Sequence, residues 1–330
     1  MVARAAGVAQ STVSLVANNS PKVALETRKR IIETARILGY DLLPRSKKLV
    51  IGIIISQIHP IKSWQQMVLS SLKKEISDRQ FRMEIICSND IPLLHDRLVS
   101  GAISITSDPM QNIHWKELKN IPLVRLNGYS SHLDNIFKVT TDTASDFAKL
   151  YGSLYDAGHR RIGLFLDKTP SGEQQEGLGV CASFSKQFVS HDSMATPEDF
   201  ISYHSPQKSI RQRVEELLAK NITGMIVIPG DTALAVSRAL NDLGKKIPED
   251  ISLVTLEYAG VCENWSPPLT SLYRDYPRIC TAALDLITNW LDHKTVHDIL
   301  IPGELILRDS IKYIGKSDTS ESVICKQKNL

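Results

Sequence analysis

Cysteine is scarce in this chain and never paired. Five occur in 330 residues, at 87, 181, 262, 280 and 325, and no two form a C-x-x-C step. That spacing argues against a zinc site and against a disulfide framework, and fits a reducing compartment. Long apolar runs are also missing. No stretch approaches the ~18 residues needed to cross a bilayer, and MVARAAGVAQSTVS lacks the apolar core of an export signal. A cytoplasmic chain without membrane association is expected. The signatures of common enzyme classes are absent as well. LVIGIIISQIHP offers one glycine where a dinucleotide fingerprint needs three, and there is no G-x-x-x-x-G-K-[ST], H-E-x-x-H or G-x-S-x-G. Gly177-Leu178-Gly179 reads as a helix start. Neither catalytic residues nor metal ligands nor a cofactor site can be named, so a non-enzyme is expected.

What is present is unevenly distributed. The chain carries a formal charge of +3. Residues 1–50 hold nine Lys/Arg against three acids, +6, which leaves −3 for the other 280. A small basic piece on a larger, mildly acidic body suits a nucleic-acid binder with a regulatory domain; a solvated basic helix face is the alternative on charge alone.

The pattern of the first forty residues decides between them. Val2, Ala3, Ala5 and Ala6 form a short apolar helix, and Gly7 supplies a tight turn. A second helix over Ser11–Val16 turns Val13 and Val16 inward and Gln10, Ser11, Ser14 and Leu15 outward. A third runs from about Glu26 to Leu38, with Ile31, Ile32, Ala35 and Leu38 at helical spacing and Gly39 at the C-cap position. Three short helices with a glycine between the first two make a helix-turn-helix, whose second helix can enter the major groove.

VARAAGVAQSTVSLVANNSPKVALETRKRIIETARILGY resembles the LacI/GalR repressor headpiece along its whole length. The resemblance implies that Gln10 and Ser11 meet base edges, that Leu15 follows one turn later, and that Thr12, Ser14 and Asn18 bond phosphates. It also exposes departures. Leu15 stands where many members have arginine, so an apolar contact such as a thymine methyl replaces a guanine contact. Ala9 and Ala24 replace N-cap serines, each at a cost of about 1 kcal/mol. The first helix starts without its capped beginning, so an upstream start is expected. Between Tyr40 and Ile51 lies only DLLPRSKKLV, about six residues short of a family linker whose hinge-helix leucine wedges into the minor groove. The hinge helix is therefore expected to be missing, with Leu42 or Leu43 as possible substitutes.

From Leu49 onward, Val/Ile-rich runs alternate with amphipathic helices, which means parallel, doubly wound sheets, and the length allows two. DAGHRRIGLF, LGKKIPEDISLVTLEY, PPLTSLYRDY and IPGELILRDS resemble, in order, the family's periplasmic-binding-protein-like effector domain. The organisation implied is a headpiece at 1–40, a short linker at 41–48 and an effector and dimerisation domain at 49–330. Lobe one covers about 49–157 and 275–292; lobe two covers about 158–270 and 304–310. By the same resemblance, Trp64, Asp142, Glu176, Asp231, Glu257 and Tyr258 fall at effector-binding positions. For the acids the alternative is a helix cap or a solvated loop; for the aromatics it is core packing. If Glu176, Asp231 and Glu257 converge, the cleft is acidic, which favours a neutral sugar or a cation over an anionic effector. The function implied is a sequence-specific regulator of carbohydrate-utilisation genes, most simply a repressor, working as a homodimer on a palindromic operator. The alternative is a solute-binding sensor that has lost specific DNA recognition. The polar tail GKSDTSESVICKQKNL carries no heptad repeat, so no tetramerising coiled coil is expected.

Overall fold

The computed structural model describes residues 2–17, 23–38, 49–56, 61, 63–91, 99–106, 115, 118, 121–126, 133–167, 175–188, 196–257 and 260–314, with the backbone alone at 17, 25, 29, 36, 63 and 175–178. The linker at 41–48, Gly39 and the tail beyond 314 lie outside the described residues. At the N-terminus stand α1 (Val2–Ala5), α2 (Gln10–Ala17) and α3 (Leu25–Ile37). Gly7 turns the chain between α1 and α2 at φ +65°, a conformation that costs glycine little. The three helices close over a small core of Val2, Ala6, Val16, Ile31 and Ala35, with Val13, Ile32 and Leu38 packed at its edge. Ala9 and Ala24 occupy N-cap positions: Ala9 O accepts from Val13 N at 3.3 Å, and Ala24 O accepts from Arg28 N at 2.9 Å. Neither alanine has a side-chain oxygen to offer the next unpaired N–H groups.

The body contains two six-stranded sheets with the same internal order. In the first, β1 (Val50–Ile55), β2 (Arg82–Cys87), β3 (Gly101–Ser104), β4 (Leu123–Leu126) and β5 (Ile136–Thr140) lie in the order 2-1-3-4-5, with β11 (Ile299–Leu300) added beside β5. In the second, β6 (Ile162–Leu166), β7 (Ile201–Ser202), β8 (Gly224–Ile228), β9 (Ser252–Leu256) and β10 (Thr270–Tyr273) repeat the arrangement as 7-6-8-9-10. The edge strand β12 (Glu304–Ile306) pairs antiparallel with β10, and every other pairing in both sheets is parallel. Strands buried on both faces read as Val/Ile runs, which is why these segments stand out in the sequence.

Helices cover the faces. On the first sheet, α4 (Ser63–Asp78) and a late helix, Tyr276–Leu291, meet over Ile51, Ile53, Ile103, Val124 and Val139. The opposite face is closed by Trp115 and Leu118 over Ile54, Ala102 and Leu123. The second core gathers α5 (Thr143–Asp156), α6 (Gln175–Gln187), α7 (Ile210–Leu218) and α8 (Gly230–Asp242); the late helix Tyr276–Leu291 is α9. The placement of α5 corrects the expected lobe boundary near 157. Phe147, Leu150, Tyr151 and Leu154 pack into the second core, and Phe184 of α6 meets Phe147 and Tyr151 edge-on at 6.2 and 6.0 Å. The chain therefore leaves the first sheet at 141–142. The short strand β11 is a second addition to the expected organisation, since it returns the chain to the first sheet before β12.

The four described cysteines carry no disulfide, and burial pushes the Cys280 thiol up to about 12. Among the described residues no helix is long and apolar enough to cross a membrane.

His159 closes the second core against the segment that follows β12. Its Nε2 lies 2.9 Å from Lys312 O and its Nδ1 lies 2.9 Å from Thr223 Oγ1. A carbonyl can only accept, so Nε2 carries the proton and Nδ1 accepts from the Thr223 hydroxyl. Burial is the main cause that holds this imidazole below its ordinary value of 6.5, against the opposing bond to Lys312 O. A group depressed in this way contributes stability that is complete above the unfolded value and is lost as pH falls through the folded one. Wild-type stability in urea titrations should therefore fall as pH drops below 6.5. His159→Gln should cost about 1–3 kcal/mol at neutral pH and should flatten that acid limb.

Candidate DNA interface and effector site

The polar face of α2 is built by what lies beneath it. With Val13 and Val16 turned into the headpiece core, Gln10, Ser11, Ser14 and Leu15 are left exposed on the other side, and Thr12 is half-buried at the margin. Leu15 is 37% exposed, an unusual place for leucine on a headpiece with so small a core. Positions 10, 11, 14 and 15 share one helix face, since residues three and four apart are neighbours. The face offers an amide, two hydroxyls and a branched apolar tip, a set that can read base edges and a thymine methyl. Asn18 lies outside the described residues.

The described residues expected at an effector site follow the carboxyl ends of strands, where ligands of doubly wound sheets bind. Trp64 opens α4 after β1, Asp142 follows β5, Asp231 opens α8 after β8, and Glu257 follows β9. The backbone of Glu176 lies in the first turn of α6 after β6, while its side chain and all of Tyr258 lie outside the described residues. Trp64 is half-buried and packs against the first core. Asp142 is the N-cap of α5, its Oδ1 accepting from Ser145 N at 3.0 Å. Asp231 Oδ1 accepts from Thr232 N at 3.1 Å and adds negative charge at the positive end of a helix.

Glu257 changes the electrostatic expectation. Its Oε2 accepts from the Ser271 hydroxyl and lies 3.0 Å from Arg308 Nη1. Arg308 Nη1 also donates to Leu269 O at 2.7 Å and to Ser271 Oγ at 2.6 Å. The expected accumulation of unmatched carboxylates is thus corrected at this position: a guanidinium offsets one of the three charges. Arg308 belongs to the quoted LILRDS motif, yet its partner is 51 residues away and no local spacing announces it. Among the described residues no cluster of three or more His, Cys, Asp or Glu is placed to hold a metal.

Comparison with known proteins follows the same division. Residues 2–41 match the model for bacterial regulatory proteins of the lacI family, and residues 151–311 match that for a periplasmic binding protein-like domain. Catabolite control protein A of Priestia megaterium is 26% identical, the match covering 94% of this chain and 98% of that protein. Among solved structures, the lac repressor dimer bound to operator and the anti-inducer ONPF superposes with a TM-score of 0.72 at 21% identity, covering 94% of this chain and 98% of that one. The complex of the transcriptional regulator CelR with cellobiose gives a TM-score of 0.64 at 21% identity, with the same coverage.

The Glu257–Arg308 pair is shielded, its side chains 10% and 14% exposed. Arg308→Met should lower stability in urea by about 2 kcal/mol, because it strands a carboxylate in a poorly solvated place. Adding Glu257→Gln should recover part of that loss. Equal losses in the single and double variants would show that the guanidinium acts through packing alone.

Proposed function

We propose that this chain, with residues 2–41 matching the lacI family of bacterial regulatory proteins and residues 151–311 a periplasmic binding protein-like domain, is a cytoplasmic repressor of carbohydrate-utilisation genes, released from or recruited to its operator by a sugar bound between the two lobes. The observation that carries the DNA half is the exposed face of α2 set over a packed core. In this reading Gln10 and Ser11 meet base edges, Leu15 supplies the apolar contact, and Thr12, Ser14 and Asn18 fix register on phosphates. The protein acts as a homodimer on a palindromic site, because two headpieces related by a two-fold axis need two half-sites.

The sugar half is supported by the chemistry at the strand ends and by the cellobiose complex of CelR. Trp64 and Tyr258 would face a sugar ring, while Asp142, Glu176, Asp231 and Glu257 would accept from its hydroxyls. Because Arg308 offsets Glu257, the site has no need of a cationic ligand and suits a neutral one. Movement of the lobes about their crossovers is the two-state element that such a ligand would bias. A second reading, a sensor without specific DNA recognition, is favoured by one observation: alanine occupies the N-caps of α2 and α3 in the headpiece.

Mobility shift on the DNA upstream of the chain's own gene separates the two. We expect a discrete complex that survives non-specific competitor, and Gln10→Ala should relax discrimination at one base pair by about 1–3 kcal/mol. Binding that follows salt alone, indifferent to sequence, would leave only the sensor reading. In a thermal-shift panel of cellobiose, glucose, sucrose, ribose and glucose 6-phosphate, a neutral sugar should raise the melting temperature. Stabilisation by the phosphate ester alone would overturn the proposed effector class.

A further inference from the structure

Three segments carry the chain between the two sheets. The first, at 141–142, leads from β5 to α5. The second, Arg274 and Asp275, leads from β10 to α9, and the third, at 301–303, leads from β11 to β12. One buried residue meets all three, its backbone N–H donating to Asp142 O at 2.7 Å and its carboxylate facing the other two. Asp146, in the first turn of α5, is 1% exposed. Its Oδ1 accepts from Gly303 N at 2.7 Å, and its Oδ2 lies 3.6 Å from Nε of Arg274, itself 6% exposed. One turn further along α5, Lys149 Nζ donates to Gly303 O at 2.5 Å. The approach leaves no room for a side chain at 303: a Cβ there would meet Leu272 Cδ2 at 2.8 Å, Tyr273 O at 2.9 Å and Asp146 Oδ1 at 3.1 Å.

The geometry is half-made. Oδ2 accepts no hydrogen bond from any described residue, and 3.6 Å is beyond hydrogen-bond reach of the guanidinium. Burial raises the Asp146 carboxyl above its ordinary value, opposed by the Gly303 N–H and by Arg274 and Lys149, while Asp142 adds to the rise. A shift of under 1 Å between α5 and the second crossover would close the gap to a charge-assisted bond of about 2.8 Å. Relative movement of the crossovers is what a change in lobe arrangement produces.

We propose that Asp146 is a positioning residue of the interlobe hinge: by accepting from Gly303 N–H and facing the Arg274 guanidinium at 3.6 Å, it ties the crossovers together and sets the balance between lobe arrangements. The proposal rests on the reading above that the lobes move about these crossovers, but it needs neither DNA nor sugar to be tested. Asp146→Asn keeps an acceptor for Gly303 N–H and removes the charge that faces Arg274, so it loosens the crossovers without removing the Gly303 contact.

The test is hydrogen–deuterium exchange on the full-length, ligand-free protein: wild type, Asp146→Asn, Arg274→Met, Arg274→Lys and the Asp146→Asn/Arg274→Met double variant. Peptides spanning 140–146, 272–278 and 299–306 should exchange about three- to tenfold faster in Asp146→Asn and Arg274→Met, while β1 and β8 stay within about twofold of wild type. The double variant should go no further than either single one, and Arg274→Lys, which keeps the charge, should stay near wild type. The proposal is overturned if the crossovers are unchanged, if both cores accelerate equally, if the single effects add, or if Lys and Met at 274 behave alike. Should Asp146→Asn fail to fold, the contrast between Arg274→Lys and Arg274→Met decides the matter alone.

Discussion

A parallel sheet covered by helices on both faces has no place for polar side chains except where its strands end. That constraint acts twice in this chain, on two sheets of the same strand order, and it accounts for where the chemistry lies. Trp64, Asp142, Asp231 and Glu257 come from four different strand–helix or strand–loop junctions, separated by as much as 193 positions in sequence. The folding of each sheet brings its own junctions to one edge. Asp142 and Asp231 also serve the helices they begin, accepting backbone N–H groups close to their own positions. A carboxylate held in that way is oriented before any ligand arrives, so the structural role does not compete with a binding role.

The crossovers impose a second constraint. Whatever passes between the sheets must keep the two cores apart and still satisfy its own backbone. Two of the three crossovers end on an aspartate N-cap, Asp142 for α5 and Asp275 for α9, which terminates each extended segment sharply at the start of a helix. The third has no helix to enter. It is bonded instead by Asp146 and Lys149, which meet the N–H and the carbonyl of Gly303. Glycine at 303 is a packing requirement here, since the space for a Cβ is occupied by Leu272, Tyr273 and Asp146.

How much of this could be read beforehand varied with the range of the interaction. The longer strands were plain from their Val/Ile runs, unlike the two-residue β7, and the headpiece helices from the spacing of Val13, Val16, Ile31 and Ala35, because burial on a regular element leaves a local period. The lobe to which α5 belongs was not legible. Its Phe147–Leu150–Tyr151–Leu154 stripe is apolar whichever sheet it covers, and only the aromatic contacts with Phe184 decide the matter. β11 was missed because two residues, one of them the exposed Leu300, carry no periodicity; its partner β5 lies about 160 residues earlier. The acidic reading of the effector site failed at Glu257 for the same reason, since Arg308 is a neighbour in space and remote in sequence.

The position of α5 ties these two constraints together. Asp142 and Asp146 stand one helical turn apart, joined by the first bond of the helix, Asp146 N to Asp142 O at 2.7 Å. Their side chains are close enough for the charge on Asp142 to raise the Asp146 carboxyl. In the proposed function Asp142 meets the effector, and in the proposed hinge Asp146 meets Arg274. In these two readings the effector contact and the hinge lie one turn apart on one helix, with no need for a path across either core.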